Sequence, residues 1–175
     1  ALSSAASDVY KRQGCFCPVM RLHGYRWPLQ PQYGTTGGAT CVSGAPNEVW
    51  SYTDQVCEIL SDYLRLRERM LPYITELMEE AHEKGTPVMR PLFYDFPEDK
   101  ESWNVETEYM FGPKVLVKPI TDADARETDV YLPGGASWTN AWTGETFEGG
   151  QKVHVAAPIE QIPLFTRDGY KLPMK

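Results

Sequence analysis

The second half of this chain is built from short apolar segments separated by turn residues. Residues 109–111, 114–118, 128–132, 137–141, 152–155 and 162–166 are each rich in β-branched, aromatic or aliphatic side chains. Glycine and proline pairs such as Gly112-Pro113, Pro133-Gly134 and Gly149-Gly150 lie between them. Short strands at turn-punctuated intervals are typical of antiparallel sheets packed face to face. The pattern therefore predicts an all-β sandwich over roughly residues 95–175.

The preceding part has a helical period. Thr53 or Asp54 is expected to cap a helix whose apolar side chains recur at helical spacing, and Pro72 is expected to interrupt it. A second helix is expected to end at Gly85. Residues 87–93 (PVMRPLF) then predict a buried strand. Strand, helix and strand in succession favour an α/β arrangement, and the change to the sandwich pattern falls near residues 95–105.

A short apolar stretch that ends in Arg21-Leu22-His23-Gly24 predicts a buried strand over residues 14–24 whose polar side chains emerge at its end. The glycine-, proline- and threonine-rich loop that follows, to about Glu48, is long for a compact domain, and loops of this length are often functional. Its aromatic residues, with Trp27 and Tyr33 among them, could pack on a sugar ring or anchor the loop to its own core.

Composition excludes several classes of partner. A net charge of −7 and a pI near 5.0 disfavour nucleic acid and anionic membranes, which need a basic face. No apolar run approaches the ~20 residues of a membrane span. Cys15 and Cys17 are followed by no histidine or cysteine at zinc-finger spacing, so buried thiols are favoured over a metal site. We therefore expect no metal and no cofactor.

The first thirteen residues (ALSSAASDVYKRQ) differ in character from the rest. They have no hydrophobic period and resemble a translated linker rather than a native segment, so residues 1–13 are left out of the fold prediction. We expect the chain to be a piece of a longer protein, with residues 14–94 and 95–175 as its two structural parts.

Several segments, in order along the chain, resemble glycoside hydrolase family 31. They are the Arg21–Gly24 stretch and residues 71–73 (LPY), 86–92 (TPVMRPL), 109–120 (YMFGPKVLVKPI), 130–133 (VYLP), 142–144 (WTG) and 162–169 (IPLFTRDG). The resemblance implies that residues 14–94 form the last strands and helices of a (β/α)8 TIM barrel, with residues 86–92 as its final strand. It also implies that residues 95–175 form the proximal β-sandwich of that family.

The resemblance also implies an activity. Members of the family are retaining glycosidases that act on α-glucosides, α-xylosides and related linkages, through two aspartates on earlier barrel strands. Neither aspartate motif is present in this sequence, and the missing N-terminal part of the parent chain would supply both. Asp95, Asp99, Asp122, Asp124, Glu79 and Glu80 are interpreted as solvated surface groups, so no catalytic residue is assigned.

Two residues are predicted to contact an oligosaccharide or glycoside substrate. A neutral imidazole can donate from one nitrogen and accept at the other, which suits a sugar hydroxyl, and the resemblance gives this role to His23. Arg21 reaches the same site or pairs with a buried carboxylate.

The competing hypothesis is a non-catalytic module. The sandwich could bind carbohydrate through Trp138 and Trp142, both expected to be exposed, or could simply support the barrel.

Overall fold

The computed structural model describes residues 13–22, 48–122 and 124–174. Several predictions concern residues outside this part of the chain. They are the leader over residues 1–12, His23, Cys41 and the loop aromatics Trp27 and Tyr33.

Two consecutive helices form where the sequence predicts them. Helix α1 runs over Asp54–Arg69, and the hydroxyl of Thr53 accepts from the amide of Val56 at 3.4 Å. Helix α2, Leu71–Lys84, carries Pro72 in its first turn, where the missing amide costs no hydrogen bond. It ends at Gly85 in the left-handed conformation (φ 69°). Among the described residues, no helix has both the length and the apolar character needed to cross a membrane.

The strand predicted over residues 14–24 is wrong for the part that the structure describes. Gln13 and Gly14 are helical and residues 15–19 form turns and bends, in which the amides of Phe16 and Cys17 donate to the carbonyls of Gln13 and Gly14. A strand needs a hydrogen-bonded neighbour, and here the carbonyls are bound instead by side chains. The apolar residues of this stretch do not by themselves distinguish a strand from a buried segment whose carbonyls are bound by side chains.

The buried strand predicted over residues 87–93 is also wrong in its length and its partner. Strand β1 is limited to Met89–Arg90, and it pairs antiparallel with Phe111 and Met110. Pro91 has no amide to continue the ladder, and a short helix α3, Leu92–Asp95, begins directly after it. The strand therefore joins the sheet of the second half, and every strand pair described in the chain is antiparallel.

The antiparallel strands of the second half are confirmed. The predicted six correspond to β2 (Tyr109–Phe111), β3 (Val115–Val117), β4 (Glu127–Leu132), β5 (Ser137–Asn140), β7 (Gln151–Ala156) and β8 (Leu164–Arg167). Strand β6, Thr146–Glu148, was not predicted, because Phe147 is its only apolar residue. Six strands form one sheet in the order β1-β2-β3-β8-β5-β6, and β4 pairs with β7 in a second sheet.

The larger sheet is buried on both faces. One face packs on the helices through Phe111, Val115, Val117 and Leu164, and the other packs on β4 and β7 through Met110, Leu116, Trp138 and Phe165. Successive side chains of a strand point to opposite faces. Strand β3 can therefore be apolar at every position, and all three of its residues are fully buried.

Candidate functional site

The segment that leads to Arg21 is anchored by one aromatic side chain. Phe16 is fully buried, and its ring meets those of Tyr63 and Phe111 edge-on, with centroids 6.4 and 6.3 Å apart. The segment therefore rests on the junction of α1 and the larger sheet. Edge-to-face contacts of this kind stabilise beyond the area that they bury.

The backbone of this segment is bound by two side chains from other elements. The guanidinium of Arg67, on α1, donates to the carbonyls of Cys15 (2.9 Å), Cys17 (2.7 Å) and Pro18 (3.1 Å), with a longer contact to Gly14 (3.5 Å). The hydroxyl of Tyr109, on β2, donates to the carbonyl of Phe16 at 3.2 Å. Every carbonyl from Gly14 to Pro18 thus has a donor without a neighbouring strand. Arg67, at a position where the helical period would suggest a solvated cation, is thus a half-buried donor to this segment.

Arg21 lies three residues beyond the last of these carbonyls, and it is exposed. His23, the other predicted sugar contact, lies outside the described residues. The roles of Arg21 and His23 in substrate binding stay predictions.

The cysteines of this segment are poor ligands and poor nucleophiles. Burial raises the pKa of the Cys15 thiol to about 12, although the Arg67 guanidinium opposes the shift. Burial also raises the pKa of Cys17. Both thiols are therefore protonated at neutral pH, whereas metal binding and nucleophilic attack need the thiolate. In the described part of the chain, no group of three histidine, cysteine or acidic side chains could hold a metal ion.

Two carboxylates interpreted as solvated surface groups have structural roles instead. Asp95 pairs with the buried Arg90 at 3.1 Å; burial raises its pKa, and Arg90 opposes the shift. Asp99 accepts from the amides of Gly134 (2.7 Å) and Glu101 (3.0 Å) and from the hydroxyl of Tyr131 (2.8 Å). Asp95 thus ties α3 to β1, and Asp99 ties the turn after α3 to the end of β4, so we interpret both as structural.

A third acidic residue, Glu108, was missed by the sequence analysis. It is buried, accepts from the amide of Tyr131 at 3.0 Å and pairs with Lys118 at 3.5 Å. Burial raises its pKa, against the hydrogen bond from Tyr131 and the charge of Lys118. Strand alternation could have found it, because Glu108 lies two residues before the buried Met110 and so points to the same face.

The tryptophans proposed for a carbohydrate-binding surface are not exposed. Trp138 is fully buried and donates from its indole nitrogen to the carbonyl of Pro133 at 2.9 Å. Trp142 is half-buried and donates to the carbonyl of Ile162 at 2.7 Å. Both rings belong to the packing of the domain, so Trp138 is closed to a sugar and Trp142 presents only part of its ring.

The strands of both sheets lie in a region of the chain that matches a known protein family. The sequence model of the glycosyl hydrolase family 31 C-terminal domain matches residues 85–172, the region that contains β1–β8. This chain belongs to glycoside hydrolase family 31. The resemblance in the sequence motifs is thereby confirmed.

Family 31 relatives match far beyond the C-terminal domain. An α-xylosidase of Saccharolobus solfataricus is 36% identical over 91% of this chain and 19% of its own length. Alpha-glucosidase 2 of Bacillus thermoamyloliquefaciens is 39% identical over 70% of this chain and 15% of its own. The crystal structure of a soil-metagenome family 31 α-xylosidase, complexed with xylose, is 43% identical with a TM-score of 0.87, covering 94% of this chain and 25% of that one. The chain thus spans a quarter or less of these relatives.

Proposed function

We propose that this chain is part of a retaining α-glycosidase that hydrolyses α-xylosides, with α-glucosides as the alternative substrate class. The observation that carries the proposal is the match to the xylose-bound α-xylosidase, which extends over 94% of the chain at 43% identity. The α-glucosidase relative covers less of the chain, 70%, and we therefore take α-glucosides as the second choice.

Retention of configuration requires two carboxyl groups about 5–5.5 Å apart, one as nucleophile and one as acid/base. We assign neither to this chain, because Asp95, Asp99 and Glu108 are each bound to neighbouring protein groups. The pair then comes from another part of the parent protein. This division is compatible with the share of the relatives that the chain spans.

Within this chain we assign substrate contact to Arg21 and His23. The exposed guanidinium of Arg21 supplies several donors in a fixed plane, and a neutral imidazole can both donate to and accept from a sugar hydroxyl. Contacts of this kind accelerate hydrolysis only if they strengthen at the transition state. They would therefore hold the sugar while the carboxyl pair of the parent reacts.

We also propose that residues 14–94 complete the (β/α)8 barrel of the parent and that residues 95–175 form the adjoining β-sandwich. Helices α1 and α2 support this division, because they precede the sheet in the chain and pack against one face of it. The pairing of β1 with β2 would then be the connection between the two parts. A barrel-supporting role for the sheet is compatible with this arrangement.

The experiment is an assay of the parent enzyme and of this chain on p-nitrophenyl α-xyloside and α-glucoside. We expect turnover by the parent, with the xyloside preferred, and none by the chain alone. Arg21→Ala and His23→Ala in the parent should each lower kcat/KM by about 10- to 100-fold, the loss of a charged or bifunctional hydrogen bond.

Arg65→Ala serves as the control, because Arg65 is exposed and pairs with Asp62 of its own helix, away from the segment that leads to Arg21. Turnover by the isolated chain that depends on Asp95 or Glu108 would contradict the assignment of the carboxyl pair. A parent inactive on both substrates would contradict the proposed function itself.

A further inference from the structure

Three arginines of α1 alternate along the helix but bind different targets. Arg65 pairs with Asp62 of its own helix at 2.9 Å. Arg69 donates to the carbonyls of Pro173 (2.7 Å) and Met174 (2.9 Å) near the end of the described chain. Arg67 donates to the carbonyls of the segment before Arg21. One short stretch of helix thus holds two backbone segments that are distant in sequence.

We propose that Arg67 is a positioning residue for Arg21, since its guanidinium fixes the backbone from Cys15 to Pro18 from which Arg21 extends. The inference rests on the proposed function, because it assigns Arg67 to the sugar site through Arg21. Arg67 does not itself touch the substrate.

The chemistry of the contact requires arginine. Three carbonyls that point toward one centre need donors spread across a plane, and the guanidinium presents five N–H groups in a fixed fork. A lysine at this position would carry the same charge but only a compact ammonium on a flexible stem. We therefore expect lysine to restore the charge without restoring the position of the segment.

Loss of the guanidinium should loosen this segment and leave the rest folded. The Phe16 ring remains in the core and Tyr109 still binds the carbonyl of Phe16, so the segment stays attached at this one residue but opens locally more often. The carbonyls of Cys17 and Pro18 lose their donors and turn toward water. Arg21 lies three positions after Pro18, a reach of at most about 10 Å, so a rotation at Pro18 is passed to Arg21 through Val19 and Met20 alone.

The test is native-state hydrogen exchange of this chain, read at the amides of Phe16 and Cys17. These amides are hydrogen-bonded within the segment, to Gln13 and Gly14. We expect Arg67→Ala and Arg67→Lys to accelerate their exchange roughly tenfold or more, as loss of hydrogen bonds from a charged donor would. Millimolar guanidinium chloride should slow the exchange again in Arg67→Ala, whereas the same concentration of sodium chloride should not.

Two matched arginine variants make the readout specific. Arg69→Ala should leave Phe16 and Cys17 unchanged and accelerate the amide of Met174, which is bonded to the carbonyl of Leu172. Arg65→Ala should change neither. Unchanged exchange at Phe16 and Cys17 in Arg67→Ala would overturn the inference. Equal acceleration at Val130 and Val153 of the β4–β7 sheet would do the same, because it would show global destabilisation.

Kinetics of the parent enzyme separate this inference from the proposed function. We expect Arg67→Ala to raise KM about tenfold on the α-xyloside, with partial recovery in guanidinium, and the Arg21→Ala/Arg67→Ala double variant to be no worse than Arg21→Ala alone. A wild-type parent that is inactive on both glycosides fails the proposed function, and the sugar role of Arg67 fails with it. An active parent in which Arg21→Ala is impaired but Arg67→Ala is not overturns only the inference.

Discussion

Strand β3 and the segment from Gly14 to Pro18 both place backbone in the interior, but they satisfy it by different means. Strand β3 lies between β2 and β8, and regular ladders bind its amides and carbonyls on both sides. The segment before Arg21 has its carbonyls bound by the side chains of Arg67 and Tyr109. A ladder distributes its hydrogen bonds over many residues, whereas the segment depends on two. Single substitutions should therefore act globally in the sheet and locally in the segment.

The largest expected difference is in the free energy of unfolding, between alanine substitutions of two buried phenylalanines. Phe165→Ala, in central strand β8, should lower the free energy of unfolding by about 3–5 kcal/mol, because a fully buried aromatic side chain leaves a cavity. Phe16→Ala should cost less, since the segment can detach while the sheet stays folded. Urea unfolding followed by tryptophan fluorescence measures both. Equal losses for the two variants would contradict the comparison.

Asp99 is a side chain that binds backbone amides close to the sheet, so it provides a second example of backbone held by one residue. Asp99→Asn should lower the free energy of unfolding by about 1–3 kcal/mol at neutral pH, because its carboxylate accepts from two amides and a hydroxyl. Glu98→Gln, an exposed neighbour with the same change of charge, is the control and should have little effect.

The pH dependence of Asp99 follows from its pKa. Burial alone would raise this pKa, but the hydrogen bonds from Gly134 and Tyr131 outweigh it and leave the pKa below its ordinary value of 3.8. A depressed pKa stabilises the fold above the unfolded-state value, and this stabilisation disappears as pH falls through the folded-state value. The stability difference between wild type and Asp99→Asn should therefore shrink below about pH 4. A difference that grows on acidification would contradict the assignment.

A smaller effect is expected at Tyr109. Burial raises the pKa of its hydroxyl, so it remains a donor to the carbonyl of Phe16. Tyr109→Phe should lower stability by about 0.5–1.5 kcal/mol and accelerate amide exchange at Cys17 more than in the sheet. Tyr94→Phe, at an exposed position, should change neither quantity. Faster exchange throughout β3 would show that the segment and the sheet are one cooperative unit.

The smallest effect is expected at His154, on the exposed face of the β4–β7 ladder. Hydrogen bonds to Asp129 (2.8 Å) and then to Glu127 raise its pKa. A raised pKa stabilises the fold below the unfolded-state value, and this contribution is lost as pH rises through the folded-state value. NMR titration should show the raised pKa in wild type, and His154→Gln should remove the accompanying change in stability. Amide exchange at Val130 should not respond, because the ladder does not depend on this charge.

Sequence reasoning succeeded where the determining interactions are local. Thr53 and Gly85 define helix ends through contacts within a few residues, and the strands of the second half are visible as apolar runs between turns. Strand β6 was missed because one aromatic residue does not make a pattern.

Contacts between distant residues gave no such signal. Arg67 binds carbonyls about fifty residues away and Arg69 binds carbonyls more than a hundred away, so both look like ordinary surface cations in the sequence. The same holds for Asp99 and Gly134. Of the candidate site, the stretch around Arg21 was recognised from its resemblance to family 31. The residues that hold it were not, and sugar contact by Arg21 and His23 stays a prediction.

The order of strands has a consequence for biosynthesis. Among the described strands β8 comes last in sequence, yet it lies in the middle of the larger sheet, between β3 and β5. While the ribosome is still making residues 164–167, β3 and β5 have no partner on their inner edges. Chain elongation proceeds at about 5–20 residues per second, so those edges stay open for seconds. During that time the nascent protein presents unpaired apolar strands, and a chaperone that binds such strands would act before β8 emerges.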